Sequence, residues 1–233
     1  MTKIKLIIPI VLVLAISAVY AEDEGKCTEG DCQSGNGIKV FDDGRYVGEF
    51  ENGEINGQGT FTFQNGDEYT GEFINGSPDG EGTYKFVNGV VYKGHFDNNI
   101  INGYGRCEFP DGCVYEGDWK QGKREGKGKY LYSDGDIYTG GFENDLRSGY
   151  GEYVFQNTDP DYDNFGTADV YKGQWKDDEI NGHGEMTYGD GTVYKGSWKK
   201  GEWDGRGVLT FPDGRIQKGN FKNGEYVKKG CMF

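Results

Sequence analysis

The chain has 233 residues, 42 of them glycine; 34% of its residues are hydrophobic, 15% are aromatic, and its formal net charge is −14. Collagen would need glycine at every third position, and disordered chains are poor in aromatic rings, so neither class fits. A glycine-turned, aromatic-packed β structure remains, and its acidic balance opposes binding to DNA, RNA or anionic lipid, which depend on Lys and Arg to meet phosphates.

Residues 1–21 read as a secretory signal peptide. Lys3 and Lys5 precede an apolar run from Leu6 to Ile16, and small residues lead on to Val19-Tyr20-Ala21. The run is short for a membrane span, which needs about 20 residues, and Pro9 interrupts it. Cleavage is expected after Ala21. The remainder is then secreted or extracytoplasmic (periplasm, cell surface or secretory lumen), where disulfides persist. An acidic, cysteine-containing segment, 22–34, comes next. Of five cysteines, Cys27 and Cys32 are close enough in sequence for a local bridge. Cys107 and Cys113 flank a Pro-Asp-Gly turn and could form another. Cys231 is left over, which suggests an intermolecular partner or a free thiol.

From 35 to 229 the chain is periodic. Tyr46, Tyr69, Tyr92, Tyr115 and Tyr138 are each 23 residues apart, and Tyr171 and Tyr194 repeat that interval after one of 33. Two residues beyond each tyrosine stands glycine, and two further on Phe or Trp, as in Tyr69, Gly71 and Phe73. Spacing by two is the period of a strand, so these rings and glycines share one face. Asn-Gly or Asp-Gly pairs such as Asn65-Gly66 and Asp111-Gly112 suit the positive φ angles of tight hairpin turns. Antiparallel pairing is expected to set Tyr69 opposite Phe86, Gly71 opposite Tyr84 and Phe73 opposite Gly82. A slip of two would change partners but not faces. Glycine at mid-loop (Gly53, Gly76, Gly122, Gly201) gives way to Asn99, Asp145 and Asp178, which points to positive φ there too. Incomplete units open and close the array, the last with Gln217 in place of tyrosine. An insertion occupies 158–167, and 230–233 form a tail.

The unit Tyr-x-Gly-x-(Phe/Trp)-x-x-Gly-x-x-x-Gly-x-Gly, matched seven times, resembles the MORN repeat ("membrane occupation and recognition nexus"). The resemblance covers roughly residues 35–225. It implies an all-β, elongated single-layer array of consecutive antiparallel hairpins, and a non-catalytic scaffold contacting proteins or membranes. No kinase or methyltransferase segment accompanies it.

Catalytic chemistry finds no footing. His95 lies on the strand face away from the rings and His183 sits between two glycines; neither has a nucleophile at matching spacing. The carboxylates recur at outward or turn positions, so a glycosidase pair would be an arbitrary choice. No helix follows the Gly-x-Gly pairs to cradle a phosphate. No cofactor is implied. Asp159, Asp161 and Asp163 in the insertion alternate like the first ligands of a calcium loop, making a weak calcium candidate, but Asn164 and Val170 stand where that loop needs Gly and Glu. The expected function is a secreted scaffold for protein–protein interaction, with the ring face, from Tyr46, Tyr69, Tyr92, Tyr115, Tyr138, Tyr171 and Tyr194, as candidate lining. Alternatives are binding of surface glycan or lipid headgroups, or an unrecognised hydrolase. Homodimerisation would run through Cys231 or the terminal sheet edge, although Lys218, Lys222, Lys228 and Lys229 put charge on that edge.

Overall fold

A computed structural model describes residues 25–156 and 167–228. The signal segment 1–21, most of the insertion with Asp159, Asp161 and Asp163, and the tail with Cys231 lie outside the described residues. Those described form strands and turns without a helix, in two compact units divided after Arg124.

The first unit holds β1 (Lys26–Gly30), β2 (Ser34–Phe41), β3 (Gly44–Glu51), β4 (Glu54–Phe63), β5 (Glu68–Ile74), β6 (Ser77–Lys85), β7 (Val91–Asp97), β8 (Ile100–Glu108) and β9 (Val114–Lys120). In the second are β10 (Lys123–Leu131), β11 (Ile137–Glu143), β12 (Leu146–Phe155), β13 (Asp169–Lys176), β14 (Glu179–Thr187), β15 (Val193–Lys199), β16 (Glu202–Thr210), β17 (Ile216–Lys222) and β18 (Glu225–Tyr226). Within each unit every strand pairs antiparallel with the next in sequence. Both are arrays of consecutive hairpins.

The register differs from the expected one by a slip of two. Tyr69 faces Tyr84, Gly71 faces Gly82, and Phe73 faces Pro78. Glycine therefore meets glycine rather than a ring. The reason lies in the tyrosine, which lies across the glycine pair: a Cβ on Gly82 would stand 2.4 Å from the Tyr69 hydroxyl and 2.5 Å from its Cε2. The hydroxyl then donates to the Glu72 carbonyl at 2.9 Å. Tyr46, Tyr92, Tyr115, Tyr138, Tyr171 and Tyr194 each make the same bond to the carbonyl three residues on. The glycines do make room for rings, as expected, but for a ring on the strand of the first glycine, laid over both of them.

Gly71→Ala is accordingly expected to destabilise the first unit by at least about 1–3 kcal/mol, the cost of overpacking. Its Cβ would stand 2.6 Å from the Gly82 Cα and 2.7 Å from the Glu81 carbonyl oxygen, both backbone atoms unable to rotate away. A lowered denaturant midpoint with unchanged slope would report it.

Two kinds of turn alternate, and the Asn-Gly and Asp-Gly pairs form the longer of the two. At Asn65-Gly66 only the glycine has positive φ, at 94°. Phe63 and Asp67 close a three-residue loop through Phe63 N to Asp67 O, with Gly66 N donating to Phe63 O inside it, while the Asn65 side chain accepts from Asp67 N at 2.9 Å. That is a type I turn followed by a left-handed residue, with an Asx cap. The two-residue turns sit instead at the mid-loop, where both central residues have positive φ: Asn75 and Gly76 at 50° and 80°, Asp177 and Asp178 at 50° and 66°. The expected left-handed Asn99, Asp145 and Asp178 are found.

The rings pack edge to face along each unit. Tyr69 contacts Phe73 of its own repeat and Phe96 of the next, both at 5.0 Å and near-perpendicular. In the second unit Tyr171 meets Trp175 and Trp198 likewise. Such contacts contribute about 0.5–1.5 kcal/mol each beyond burial. The array ends on a substitute: Tyr226, from β18, brings its Cε2 to 2.7 Å from where a Cβ on Gly219 would stand and packs against Phe221 at 5.4 Å. At the other end Cys27 and Cys32 are bridged. Cys107 and Cys113 are not; both thiols are free and buried. Cys107 occupies the ring column between Tyr92 and Tyr115, and burial pushes its thiol up to about 12, so it packs as a small apolar group.

Candidate partner-binding face

The sheet face away from the rings carries the side chains that reach solvent. The residue between each Gly-x-Gly pair points there, and at two repeats it is tyrosine. Tyr104 is 60% exposed and Tyr150 69% exposed, the two aromatic side chains that stand in solvent among the described residues. The Tyr104 hydroxyl donates to Glu116 at 2.8 Å, and that carboxylate raises the pKa of the phenol. Around it Arg106 bridges Glu108 at 2.9 Å and Glu116 at 3.4 Å. Beside Tyr150 in the second unit, Lys172 pairs with Glu152 at 3.2 Å and Lys195 with Glu185 at 3.1 Å. Exposed pairs of this kind add little stability, but they set a patterned polar surface around each tyrosine.

The seven repeat tyrosines are not an open lining. Tyr46, Tyr69, Tyr92, Tyr115, Tyr138, Tyr171 and Tyr194 are each 0% exposed. Neighbouring rings close over them and their hydroxyls bond to backbone, so they are core. His95 and His183 do lie on the polar face; His95 approaches Glu81 at 3.4 Å and His183 the Ser197 hydroxyl at 3.4 Å. Among the described residues no cluster of three or more His, Cys, Asp or Glu is arranged to hold a metal ion.

Sequence reasoning missed the buried charges. Arg147 and Asp178 are 0% and 1% exposed as side chains, and the guanidinium Nε donates to Asp178 Oδ1 at 3.0 Å. Arg147 N donates to the same oxygen at 2.8 Å, and Nη2 to the Asp178 carbonyl at 3.0 Å. Trp175 stacks its ring 4.5 Å from the guanidinium carbon. Asp67 and Asp136 are buried as well: Asp67 accepts from Tyr84 and Val87, and Asp136 from Tyr153 and Gln156. A signal existed in the repeat column that holds Arg124 and Arg147, which elsewhere reads Ile55, Pro78, Ile101, Ile180 and Trp203.

The family model of the MORN repeat matches residues 46–68, 69–91, 92–114, 115–137, 138–159, 171–193 and 194–214. The chain belongs to the MORN repeat family. No curated protein matches it. Among solved structures, this MORN chain is similar to the G-box domain of the microcephaly protein CPAP, at 16% identity and a TM-score of 0.49, covering 85% of this chain and 99% of that one. It is also similar to the TCP domain of SAS-4 (dCPAP) from Drosophila melanogaster, solved in complex with a proline-rich motif of Ana2. That match has 12% identity and a TM-score of 0.39, covering 85% and 90%.

Proposed function

We propose that this MORN array is a non-catalytic scaffold that works outside the cytoplasm and holds a protein partner on the face opposite its rings. The observation that carries the proposal is the exposure of Tyr104 and Tyr150, when the other aromatic residues among those described are buried or half-buried. Tyrosine supplies large, rigid contact area with a polar tip, and interfaces are enriched in it. Charge pairs around each ring supply a polar rim. Membership of a repeat family supports the scaffold role, since such arrays offer extended surfaces rather than enclosed sites. The basic-then-apolar start of the chain and the Cys27–Cys32 bridge support an oxidising, extracytoplasmic setting.

Affinity purification of the mature protein from its native compartment is expected to recover a defined partner. Tyr104→Ala and Tyr150→Ala should each weaken that capture about tenfold or more, as hot-spot residues do, without shifting the unfolding midpoint. Undiminished capture by the double variant would refute the assignment of this face. An amino terminus at Glu22 on the mature chain would test the extracytoplasmic half of the proposal.

A further inference from the structure

A hollow of about 360 Å³ opens on the polar face of the second unit, lined by Tyr150, Lys172, His183, Glu185 and Lys195 over the backbone of Gly184 and Gly196. It is shallow and open to solvent, a surface depression rather than an enclosed cavity. The strand register puts Gln174 opposite Tyr150, where its side chain would be expected to cover the ring. Instead Gln174 Oε1 accepts from His183 N at 2.7 Å. The amide is committed to the backbone of β14, and the Tyr150 ring stays open to solvent.

The lining chemistry narrows the ligand. Both lysines are already matched by carboxylates, Lys172 by Glu152 and Lys195 by Glu185. A phosphate or an acidic peptide would have to meet Glu185 as well as the lysines, and would gain little net attraction. A neutral polyhydroxylated ring gains from both members of a pair, because a hydroxyl donates to the carboxylate and accepts from the ammonium. Its C–H face, positive at the hydrogens, suits the negative face of an exposed phenol ring. We infer that this hollow binds a neutral sugar residue, stacked on Tyr150 and hydrogen-bonded by Glu185 and Lys195. The inference goes beyond the protein-scaffold reading and does not depend on it.

The full mature chain would be titrated by calorimetry with neutral hexose and N-acetylhexosamine oligosaccharides, and in parallel with inorganic phosphate. At least one neutral oligosaccharide is expected to bind saturably. Tyr150→Ala should lower its affinity about tenfold or more, Tyr150→Phe should retain it, and Glu185→Gln should weaken it; circular dichroism would verify that the variants fold. Binding should change little with salt. The inference is overturned if no neutral oligosaccharide binds, if Tyr150→Ala binds as tightly as wild type, or if phosphate alone binds. Tyr104→Ala reads protein capture in the other unit, so failure here is separable from failure of the scaffold proposal.

Discussion

Asp178→Ala is expected to cost the second unit about 3–5 kcal/mol, the range for removing one partner of a buried ion pair. The loss exceeds that of a surface bridge because Arg147 would keep its charge with no water to solvate it. Asp178 takes the Arg147 backbone N–H and Nε–H on one carboxylate oxygen, and the Asp178 N–H returns a bond to the Arg147 carbonyl at 3.2 Å. That last bond also forms in ordinary repeats, as Gly201 N to Ile180 O and Gly76 N to Ile55 O. The pair therefore adds side-chain bonds to a backbone step that apolar residues otherwise flank. The double change Arg147→Ile, Asp178→Gly restores the residue types found at Ile180 and Gly201, and should recover most of the lost stability. Glycine also relieves the positive φ of 66° at Asp178. Equilibrium denaturation of the three proteins tests this. A single-variant loss below about 1 kcal/mol, the scale of an exposed pair, would mean that the charges are solvated in solution.

Alkaline pH should unfold the array cooperatively. Burial pushes the Tyr46 and Tyr194 hydroxyls up to about 12, and raises Tyr69, Tyr92, Tyr138 and Tyr171 further. In the unfolded chain the same phenols ionise near pH 10. The folded state thus holds protons that the unfolded state releases, so this stability is complete below about pH 10 and is lost as pH climbs toward the folded values. Each such tyrosine removes about 1.4 kcal/mol per pH unit across that window, and three act together in each unit. Tyrosinate absorbance near 295 nm should rise in step with loss of the far-ultraviolet strand signal. Ionisation of the buried tyrosines with the strand signal intact would show that water reaches them without unfolding.

The repeat, the strand period and the side of the sheet that each ring takes were legible because they depend only on spacing. Tyr69, Gly71 and Phe73 must share a face whichever strand they meet. Register was not legible, since parity cannot separate pairings that differ by two. The observed pairing is set by a two-residue turn at Asn75-Gly76 and by the bulge between Gly71 and Phe73. Turn type was misassigned because the Asx-Gly dipeptide fits both kinds of hairpin, while Gln121 and Lys200, at φ 51°, carry no warning in their residue type. The seven tyrosines offered as a lining are buried for an energetic reason. A row of rings on a thin sheet looks uncovered until tyrosines such as Tyr69 and Tyr171 are seen to lie flat over two glycines and be walled by the next repeat's Phe or Trp. The aromatic side chains that remain exposed among the described residues are Tyr104 and Tyr150, whose column holds Gln58, Glu81, Lys127, His183 and Arg206 elsewhere and so shows no pattern along the chain.

Because the ring that closes over Tyr69 or Tyr171 comes from the adjoining repeat, a 23-residue module that carries only the common rings and glycines can be gained or dropped by duplication or deletion, whereas the modules joined by Arg147 and Asp178 must stay together. The closing module is constrained to its place as well, since Tyr226 must seat on the last glycine. The length of such a chain is in this sense free to drift under selection for reach, in steps of one hairpin pair.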